Sequence, residues 1–255
     1  IVGTVFLTVL TIFSFFVGRY PLTLSGIISG DSRQWQVFVT LRASRGIVGC
    51  IGGFVLGVAG FVFQTVFRNP LASPDIIGVS SGASAGAAFG ILFLSGSMAV
   101  TASAFAGALG SVVLALMLAS LTAGQDGRGI VLAGIAVHSL AQTALIFLKL
   151  LADPEKQLAS IEYWIMGSLA GVTASKIPFP VVIILFSSAV IFLLHRHILA
   201  LSVQEDEARM LGVSVQKTRF FVLFLATLTV AAAVSVTGLI SFIGLLAPHT
   251  ARLLT

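Results

Sequence analysis

The chain has 255 residues, of which 57% are hydrophobic and only 9% are charged. A soluble domain carries about a quarter charged residues, so this composition excludes an ordinary soluble globular protein. The net charge of +5 is spread over short polar segments, which favours a membrane surface over nucleic acid as the partner. Cys50 is the single cysteine, which excludes an internal disulfide.

Apolar runs near membrane-spanning length follow one another at residues 1–17, 46–67, 83–94, 98–122, 130–152, 177–194 and 220–236. A membrane-crossing helix needs roughly 20 residues, with a lower limit of about 17. The third run is short, but it extends back through the small residues 76–82. The first run lacks a basic start and a cleavage site, so we interpret it as a span and not as a signal peptide.

These runs predict helices, because lipid offers no partners to free backbone groups. They also lack the alternating polar residues that a membrane β-barrel requires. The sequence therefore predicts an all-α polytopic bundle with seven spans and a partial eighth at residues 239–252.

Glycines recur at intervals of four in two of these runs. The two stripes are Gly49, Gly53 and Gly57, and Gly78, Gly82, Gly86 and Gly90. Small residues at this spacing let helix backbones approach closely within lipid, so we expect both stripes to form helix contacts. The second stripe lacks the G-K-[ST] ending of a phosphate loop and therefore predicts no nucleotide site.

Residues 202–219 form a long, highly charged segment. Ser202 and Glu205 have the S-x-x-E spacing of a capping box, which predicts a helix start. The acidic residues that follow suit the positive end of a helix dipole. Gly212 is expected to end this helix, and residues 213–219 are expected to begin a second short one. Two short helices at a membrane surface form a protruding element that another protein can bind.

A second polar segment, residues 68–75, lies between the second and third runs. Pro70 and Pro74 prevent one helix from continuing through it, so the turn must lie at an interface or line a cavity. Polar side chains within the fifth run are expected to face the bundle interior or a water path. An ordinary hydrogen bond between helices is an equal or better alternative for each of them, and Gln64 in the second run is similar.

Five ordered motifs resemble signatures of the permease subunits of ABC importers for ferric siderophores, haem and cobalamin. The first is Gln64-x-x-x-Arg68-Asn-Pro-Leu-Ala-Ser-Pro-Asp-Ile-Ile-Gly-Val-Ser-Ser-Gly-Ala. The others are Leu132-Ala-Gly-Ile-Ala136, Trp164-Ile-Met-Gly-Ser168, Ala208-Arg-Met-Leu-Gly-Val213 and Ile240-Ser-Phe-Ile-Gly-Leu-Leu-Ala-Pro-His-Thr-Ala-Arg252. The resemblance covers nearly the whole chain, and its motifs are far more specific than a hydropathy pattern.

The resemblance implies a ten-helix permease of the cobalamin-importer type, with two copies, expected to be a homodimer, around a central path. It implies two cytoplasmic ATP-binding subunits, and a periplasmic or lipid-anchored substrate-binding protein on the outer side. The implied location is the cytoplasmic (inner) membrane of a bacterium or archaeon, with the lipid bilayer around the chain. We expect residues 1–255 to form a single transmembrane domain that lacks the family's last helices.

Several expectations about chemistry follow from the same resemblance. ATP and Mg are expected on the partner ATPase, with no cofactor or metal bound by this chain and no enzymatic activity of its own. The cargo class is a siderophore, haem, cobalamin, or a related metal or oxyanion. The sequence itself contains no acid–base pair, H-E-x-x-H motif or nucleophile elbow.

The resemblance also orients the chain, with its N-terminus inside, residues 68–75, 123–129 and 195–219 toward the cytoplasm, and residues 18–45 and 153–176 outward. It makes residues 202–219 the ATPase-coupling helices, acting through Glu205, Glu207, Ala208, Arg209, Leu211, Gly212 and Val213. It implies a cytoplasmic gate at Asn69 and Leu71. The weaker candidates for the translocation path are Gln64, Ser139 and Gln142.

Arg42 and Arg45 lie three residues apart before the second run, and so on one helical face. In the family that the chain resembles, an R-x-x-R pair here docks acidic side chains of the binding protein. Arginine suits this role because its planar fork binds carboxylates bidentately. The family usually has a proline where this chain has Ser44, which puts the local helix start in doubt. The alternative is a pair of snorkelling arginines at a helix end.

Two other classes of membrane protein remain open from the residues alone. A stand-alone secondary transporter or channel would need an energy-coupling site, usually an intramembrane carboxylate. No Asp or Glu lies well inside any of the seven runs, which disfavours proton coupling. An intramembrane enzyme is disfavoured by the missing catalytic set.

Overall fold

A computed structural model describes residues 2–18, 20–121, 127–172 and 177–254. These residues are predominantly helical and include no strand, which confirms the predicted all-α class. The α-helices in chain order are α1 (Val2–Phe16), α2 (Leu24–Ile28), α3 (Ser32–Val37), α4 (Ser44–Val66), α5 (Val79–Phe93), α6 (Ser97–Leu121), α7 (Gly127–Leu151), α8 (Gln157–Met166), α9 (Pro178–Leu193), α10 (His195–Ala200), α11 (Glu205–Met210), α12 (Val215–Thr237) and α13 (Ile243–Leu254). A π-helix (Phe38–Ala43) joins α3 to α4, and 3-10 turns lie at Pro74–Ile77 and Leu169–Gly171.

Each of the seven predicted spans coincides with one helix. Four helical stretches of the described chain are long and apolar enough to cross a membrane: Ser32–Val66, Ser97–Leu121, Gly129–Leu151 and Val215–Thr237. The remaining three are apolar but shorter, at Val5–Phe16, Val79–Phe93 and Pro178–Leu193. The chain is therefore a multi-helix membrane bundle, in which length and composition alone support four crossings.

The sequence predicts that the third span extends back to residue 76, but the structure shows a shorter helix. Pro74–Ile77 forms a 3-10 turn, and α5 begins only at Val79. Gly78 separates the two, with a left-handed φ of 83° that a residue with a side chain adopts only under strain. A Cβ at Gly78 would also lie 3.2 Å from the backbone nitrogen of His138, so this position brings α5 against α7.

Helix α12 is the centre of the bundle and packs against α4, α5, α6 and α9. Of its 18 most apolar consecutive residues, 72% are buried. The corresponding share in α7 is 22%. The core around α12 is apolar and closely packed, with Phe63, Val222, Leu223 and Ala226 fully buried. A movement of α12 would therefore reach most of the other spans.

The glycine stripe of α5 forms a tight helix contact, as predicted. Side chains added at Gly82 or Gly86 would overlap atoms of α6, the first at Ser111 and the second at the carbonyl oxygen of Ser103. From the other side, a Cβ at Gly107 would overlap the carbonyl oxygen of Gly82. The two backbones are in direct contact, which is how small residues join helices within lipid.

The predicted stripe on α4 behaves differently. A Cβ on Gly53 would meet nothing within 4 Å, and those on Gly49 and Gly57 would make only ordinary or slightly tight contacts. The close approach on α4 is instead at Gly60, where a Cβ would overlap the carbonyl oxygen of Gly244. The predicted stripe therefore ends three residues before the closest approach, and of its three glycines only Gly57 lies against α13, at Ala247.

The loops gather at two ends of the bundle. At one end, Arg45 donates a 2.9 Å hydrogen bond to the carbonyl oxygen of Ala170, which joins the start of α4 to the turn after α8. At the other end, buried side chains from the proline turn, α10 and α11 share one cluster, including Ala72, Ile198 and Ala208. Segments that the resemblance assigns to one side of the membrane thus lie at one end of the bundle, and the side that each end faces stays a prediction. Residues 122–126, in the remaining segment assigned to the cytoplasm, lie outside the described residues.

Candidate functional site: the coupling segment, the proline turn and the outer arginines

Helix α11 does not begin with the predicted capping box. Its N-cap is Gln204, whose side chain makes no capping hydrogen bond. The Ser202 hydroxyl instead donates backward to the carbonyl oxygen of Leu199 at 2.7 Å. The Glu205 carboxylate binds Arg219 at 2.6 Å, so it is not available to close the capping box. The acidic residues do lie in the first turn, where the helix dipole favours them.

Gly212 ends α11, as predicted. Its φ is 80°, and its backbone N–H donates to the carbonyl oxygen of Arg209 at 2.9 Å. The N–H of Val213 donates to the carbonyl oxygen of Ala208 at 3.1 Å. Together these two bonds form a Schellman motif, in which a left-handed glycine satisfies the last carbonyls of a helix.

The second short helix expected at residues 213–219 is absent. Those residues lead directly into α12, which runs unbroken from Val215 to Thr237. Val215 is 4% exposed and Arg219 is also 4% exposed, so the first turn of α12 is already anchored in the bundle. The coupling segment is therefore one short helix and a glycine turn attached to the central span.

The exposed part of the coupling segment is apolar at its tip. Ala208 is 1% exposed and faces the bundle, while Met210 and Leu211 are 82% and 67% exposed. Glu207 is also exposed, and Arg209 approaches Glu205 only at 4.0 Å. An apolar tip on a polar, anchored helix fits insertion into a groove of another protein.

Sequence reasoning missed Arg219, which the structure brings to the coupling segment. This arginine lies in the first turn of α12 and forms the ion pair with Glu205 across the glycine turn. The available signal was a single arginine at the start of a long apolar run, fourteen residues after the first acidic residue of the segment.

The proline turn presents the two predicted gate residues at the surface. Helix α4 ends at Val66, and Arg68 adopts a left-handed φ of 48°. The Asn69 side-chain oxygen accepts a 2.9 Å hydrogen bond from the backbone N–H of Leu71, which fixes the turn. Leu71 is 68% exposed and projects away from the bundle, whereas Ala72 is buried.

The three weaker path candidates occupy different surroundings. Gln64 is buried and joins α4 to α13, since it donates to the carbonyl oxygen of Leu245 at 3.1 Å and accepts from Arg252. Ser139 is exposed, and its hydroxyl donates to the carbonyl oxygen of Ile135 within its own helix. Gln142 is exposed and lines a cavity. The placement of these residues in a translocation path stays a prediction.

The cavity beside Gln142 has a volume of about 590 Å³ and lies between α4, α5, α7 and α12. Its polar lining includes Ser73, Asp75, Ser80, Ser84, His138 and Lys149. Asp75 accepts a hydrogen bond from Ser80, and Lys149 forms a 2.8 Å ion pair with Glu162. A cavity with several hydroxyl groups and few free charges can hold polar molecules without binding them tightly.

Arg42 and Arg45 line a second cavity of about 630 Å³ between α1 and α4. They are brought together as predicted, although Arg42 lies in the π-helix and Arg45 in α4. Both are half-buried and already hydrogen-bonded to backbone carbonyl oxygens, Arg42 to Val17 and Tyr20, and Arg45 to Ala170. Ser44, which replaces the family's usual proline, does not interrupt the helix, since the π-helix continues directly into α4. The Ser44 hydroxyl donates to the carbonyl oxygen of Val39 in the π-helix.

The segment before these arginines is ordered by Asp31. Its carboxylate caps α3 by accepting from the backbone N–H groups of Arg33 and Gln34. The hydrogen bond from Arg33, followed by those from Gln34, lowers the pKa of Asp31 below its usual value. In the described part of the chain no group of three potential ligands could hold a metal ion.

These features define a multi-pass membrane permease with a protruding helix at one end and basic side chains at the other. The chain belongs to the FecCD transport family, whose match covers residues 6–255. It is thus the permease subunit of a binding-protein-dependent ABC importer, and such permeases are not themselves the catalytic subunits.

Individual relatives carry the same likeness over most of the chain. The molybdate import system permease protein MolB of Haemophilus influenzae is 31% identical over 98% of this chain and 77% of its own length. The cobalamin import system permease protein BtuC of Halobacterium salinarum is 36% identical over 86% of this chain and 59% of its own length. The hemin transport system permease protein HmuU of Yersinia pestis is 31% identical over 88% and 69%.

A solved structure shares the fold closely. It is an inward-facing conformation of a metal-chelate type ABC transporter, 33% identical to this chain. The match has a TM-score of 0.89 and covers 98% of this chain and 79% of that chain. The predicted bundle of the cobalamin-importer permease type is confirmed by this likeness.

Proposed function

We propose that this permease forms half of a translocation path for a metal-chelate cargo, such as a siderophore complex, haem or cobalamin, or for a related oxyanion. Relatives named for molybdate, cobalamin and hemin import support that range of cargo. The cavity of about 590 Å³ supports it as well, since its hydroxyl-rich lining suits the passage of a polar cargo that another protein has already bound.

The observation that carries the proposal is the apolar tip of α11. This six-residue helix buries Ala208, while Met210 at its end and the C-cap Leu211 are exposed, which suits a surface that a partner covers. That partner is the cytoplasmic ATPase, of which two copies serve the transporter. ATP and Mg belong to those subunits, and this chain hydrolyses no ATP itself.

The opposite end of the bundle receives the substrate-binding protein, either periplasmic or lipid-anchored. Arg42 and Arg45 lie together there, and neither has an acidic partner among the ion pairs of the described residues. Their charges are therefore available to carboxylates on an incoming protein. The transporter lies in the inner membrane of a bacterium or archaeon and contains a second copy of this chain.

The second copy closes the path at the cytoplasmic end. Asn69 and Leu71 occupy a short turn between two prolines, and Leu71 is exposed in the single chain. Paired with the same turn of another copy, an apolar side chain and a small amide can close a pore without trapping a charged cargo.

Reconstitution tests the proposal. The permease is placed in proteoliposomes with its ATPase and binding protein, and uptake of radiolabelled cargo is measured with and without ATP. Uptake should require both partners and ATP. Uptake driven by an ion gradient, with no ATPase present, would instead identify a secondary transporter.

The role of α11 is tested in the same system by Leu211→Asp, with Gln216→Asp as the matched control. Both positions are exposed, but only Leu211 belongs to the apolar tip. Leu211→Asp should abolish co-purification of the ATPase, while Gln216→Asp should leave it intact. Equal retention of the ATPase by both variants would contradict docking through the tip.

A further inference from the structure

A six-residue helix has little stability of its own and takes its position from its contacts. In α11 only Ala208 is buried, and the other residues are exposed or half-buried. The chain on its N-terminal side leads to α10 and α9, and the chain on its C-terminal side leads to α12. A displacement of α11 could therefore move either α9 or α12. The side-chain contacts of α11 determine which of these two spans moves with it.

The strongest of those contacts is the ion pair between Glu205 and Arg219. The Arg219 Nη2 donates to the Glu205 Oε1 at 2.6 Å, with Arg219 4% exposed and Glu205 28% exposed. The same carboxylate meets Arg209 only at 4.0 Å, and Arg209 is 61% exposed. The first interaction is short and desolvated, while the second is long and screened by solvent.

A short ion pair with one partner buried resists separation. Pulling Glu205 away would separate the carboxylate from a guanidinium that is only 4% exposed, which is unfavourable for a buried charge. Helix α11 and the first turn of α12 therefore move together, although a glycine turn lies between them. Helix α12 in turn packs on α4, α5, α6 and α9, so it distributes a displacement across the bundle.

We propose that Arg219 and Glu205 are positioning residues that link the ATPase-docking helix to the central span α12. The proposal rests on the proposed function, because it takes α11 as the site where the ATPase applies force. It adds the route by which that force enters the membrane domain. The docking tip, Met210 and Leu211, remains separate from this link and lies on the exposed side of α11.

The first test uses Glu205→Gln, which keeps the size of the side chain and removes its charge. The control is Arg196→Gln, which removes an exposed charge on α10 at the same end of the bundle. In the complete transporter, uptake per ATP hydrolysed should fall at least about fivefold in Glu205→Gln and stay within about twofold of the unmodified protein in Arg196→Gln. Co-purification of the ATPase should remain normal in both variants.

A second variant covers the case in which a single substitution prevents folding. Glu205→Met combined with Arg219→Met removes both charges and retains apolar volume, which commonly preserves the fold where one unpaired charge does not. This double variant should purify as a folded permease and bind the ATPase. Its uptake per ATP should still be lowered, because the directed bond between the two helices is gone.

A distance measurement separates a linking role from a merely stabilising one. In a Cys50→Ser background, nitroxide labels at Met210→Cys and Phe221→Cys report the position of α11 relative to α12 in the isolated permease. Loss of the ion pair should broaden the distance distribution, and Arg196→Gln should leave it unchanged. Normal uptake per ATP with an unchanged distance distribution in Glu205→Gln would overturn the link while leaving the ATPase docking site intact. Failure of the ATPase to bind the unmodified permease would instead overturn the proposed function.

Discussion

Gly212 shows how one residue decides the shape of the docking segment. Its φ of 80° closes α11 and turns the chain toward α12, and an added Cβ would meet no atom within 4 Å. The position therefore restricts backbone conformation and not side-chain volume. Asparagine tolerates a left-handed conformation far better than a β-branched residue does.

Gly212→Val and Gly212→Asn form a matched pair for that distinction. The valine variant should lose about 1–2 kcal/mol of local stability, displace α11 and lower uptake per ATP, while the asparagine variant should transport nearly normally. The measurements are ATP-driven uptake and ATP hydrolysis in proteoliposomes. Normal coupling in the valine variant would show that the turn geometry is unimportant for transport.

Arg42 and Arg45 are expected to act on the rate of association with the binding protein. Replacing both with Glu should slow docking, because like charges then face the acidic partner, and the loss should shrink at high salt. At ~0.1 M salt, charges are screened over about 10 Å, so kinetics are best compared below and above that concentration. Surface plasmon resonance measures both rates.

The control for the outer arginines is Arg33→Glu. Arg33 is exposed on α3 and does not line the cavity that Arg42 and Arg45 share. It makes the same kind of charge reversal at the same end of the bundle, so a specific docking site predicts a much smaller effect. Unchanged association of the double variant at low salt would remove the docking assignment.

At the scale of helices, the contact between α4 and α13 depends on two glycines. A Cβ on Gly60 would overlap the carbonyl oxygen of Gly244, and backbone cannot move away as a flexible side chain can. Gly52, in the same helix, is also buried, but a Cβ there would meet nothing within 4 Å. Gly52 borders a small cavity that residues of α9 and α12 also line, so an added methyl group has room there.

Gly60→Ala should destabilise the permease by about 1–3 kcal/mol through overpacking, whereas Gly52→Ala should be nearly neutral. Thermal unfolding in detergent, followed by the loss of a monodisperse peak, provides the comparison. Gly60→Ala should also loosen the Gln64 contact with α13, four residues further along the same helix face. Equal melting temperatures for the two variants would contradict the crossing.

The spans were predictable and their caps were not, for a physical reason. The position of a membrane helix follows from an apolar run in its own sequence. Each predicted run, from 1–17 to 220–236, therefore coincides with a helix. The cap at Ser202 failed because Glu205 reaches a guanidinium fourteen residues away, a contact that local spacing cannot reveal. Gly212 was predictable because the left-handed turn it forms depends on the residue itself.

Among the candidate site residues, some could be predicted from local sequence and others only from the tertiary structure. The positions of Arg42 beside Arg45, and of Leu71 in an exposed turn, follow from the local sequence and were therefore accessible to motif analysis. Arg219 was missed because its significance depends on how α12 folds back against the coupling segment. Gln64 makes hydrogen bonds to α13, which fits the alternative of a bond between helices, and only the tertiary structure could show which helix is the partner.

At the scale of the whole molecule, the single chain leaves large apolar surfaces uncovered. On α7, Leu132, Phe147 and Leu150 are at least 63% exposed in the isolated chain. Lipid or a neighbouring protein covers such faces in a membrane. Leu71 differs from these residues because it lies in a turn at the end of the bundle and not along a span.

Leu71→Cys in a Cys50→Ser background tests whether this turn is a gate shared by two copies. A gate at a two-fold axis brings the introduced thiols of both copies together, so oxidation should cross-link them and block uptake. The cross-linking yield should also change when nucleotide binds the ATPase, because movement of α11 is expected to shift the bundle. Non-reducing gel electrophoresis measures the yield, and uptake in proteoliposomes measures the block.

Leu121→Cys is the matched control, since Leu121 is an 82% exposed leucine at the end of α6, beside the loop expected to face the cytoplasm. It should be labelled freely by a thiol reagent and should not cross-link between copies. If the thiol at position 71 behaves as the one at 121 in every nucleotide state, the proline turn is only a connection between α4 and α5. Cross-linking at 71 alone would place the two turns face to face, where Pro70 and Pro74 let the backbone move without unwinding either span.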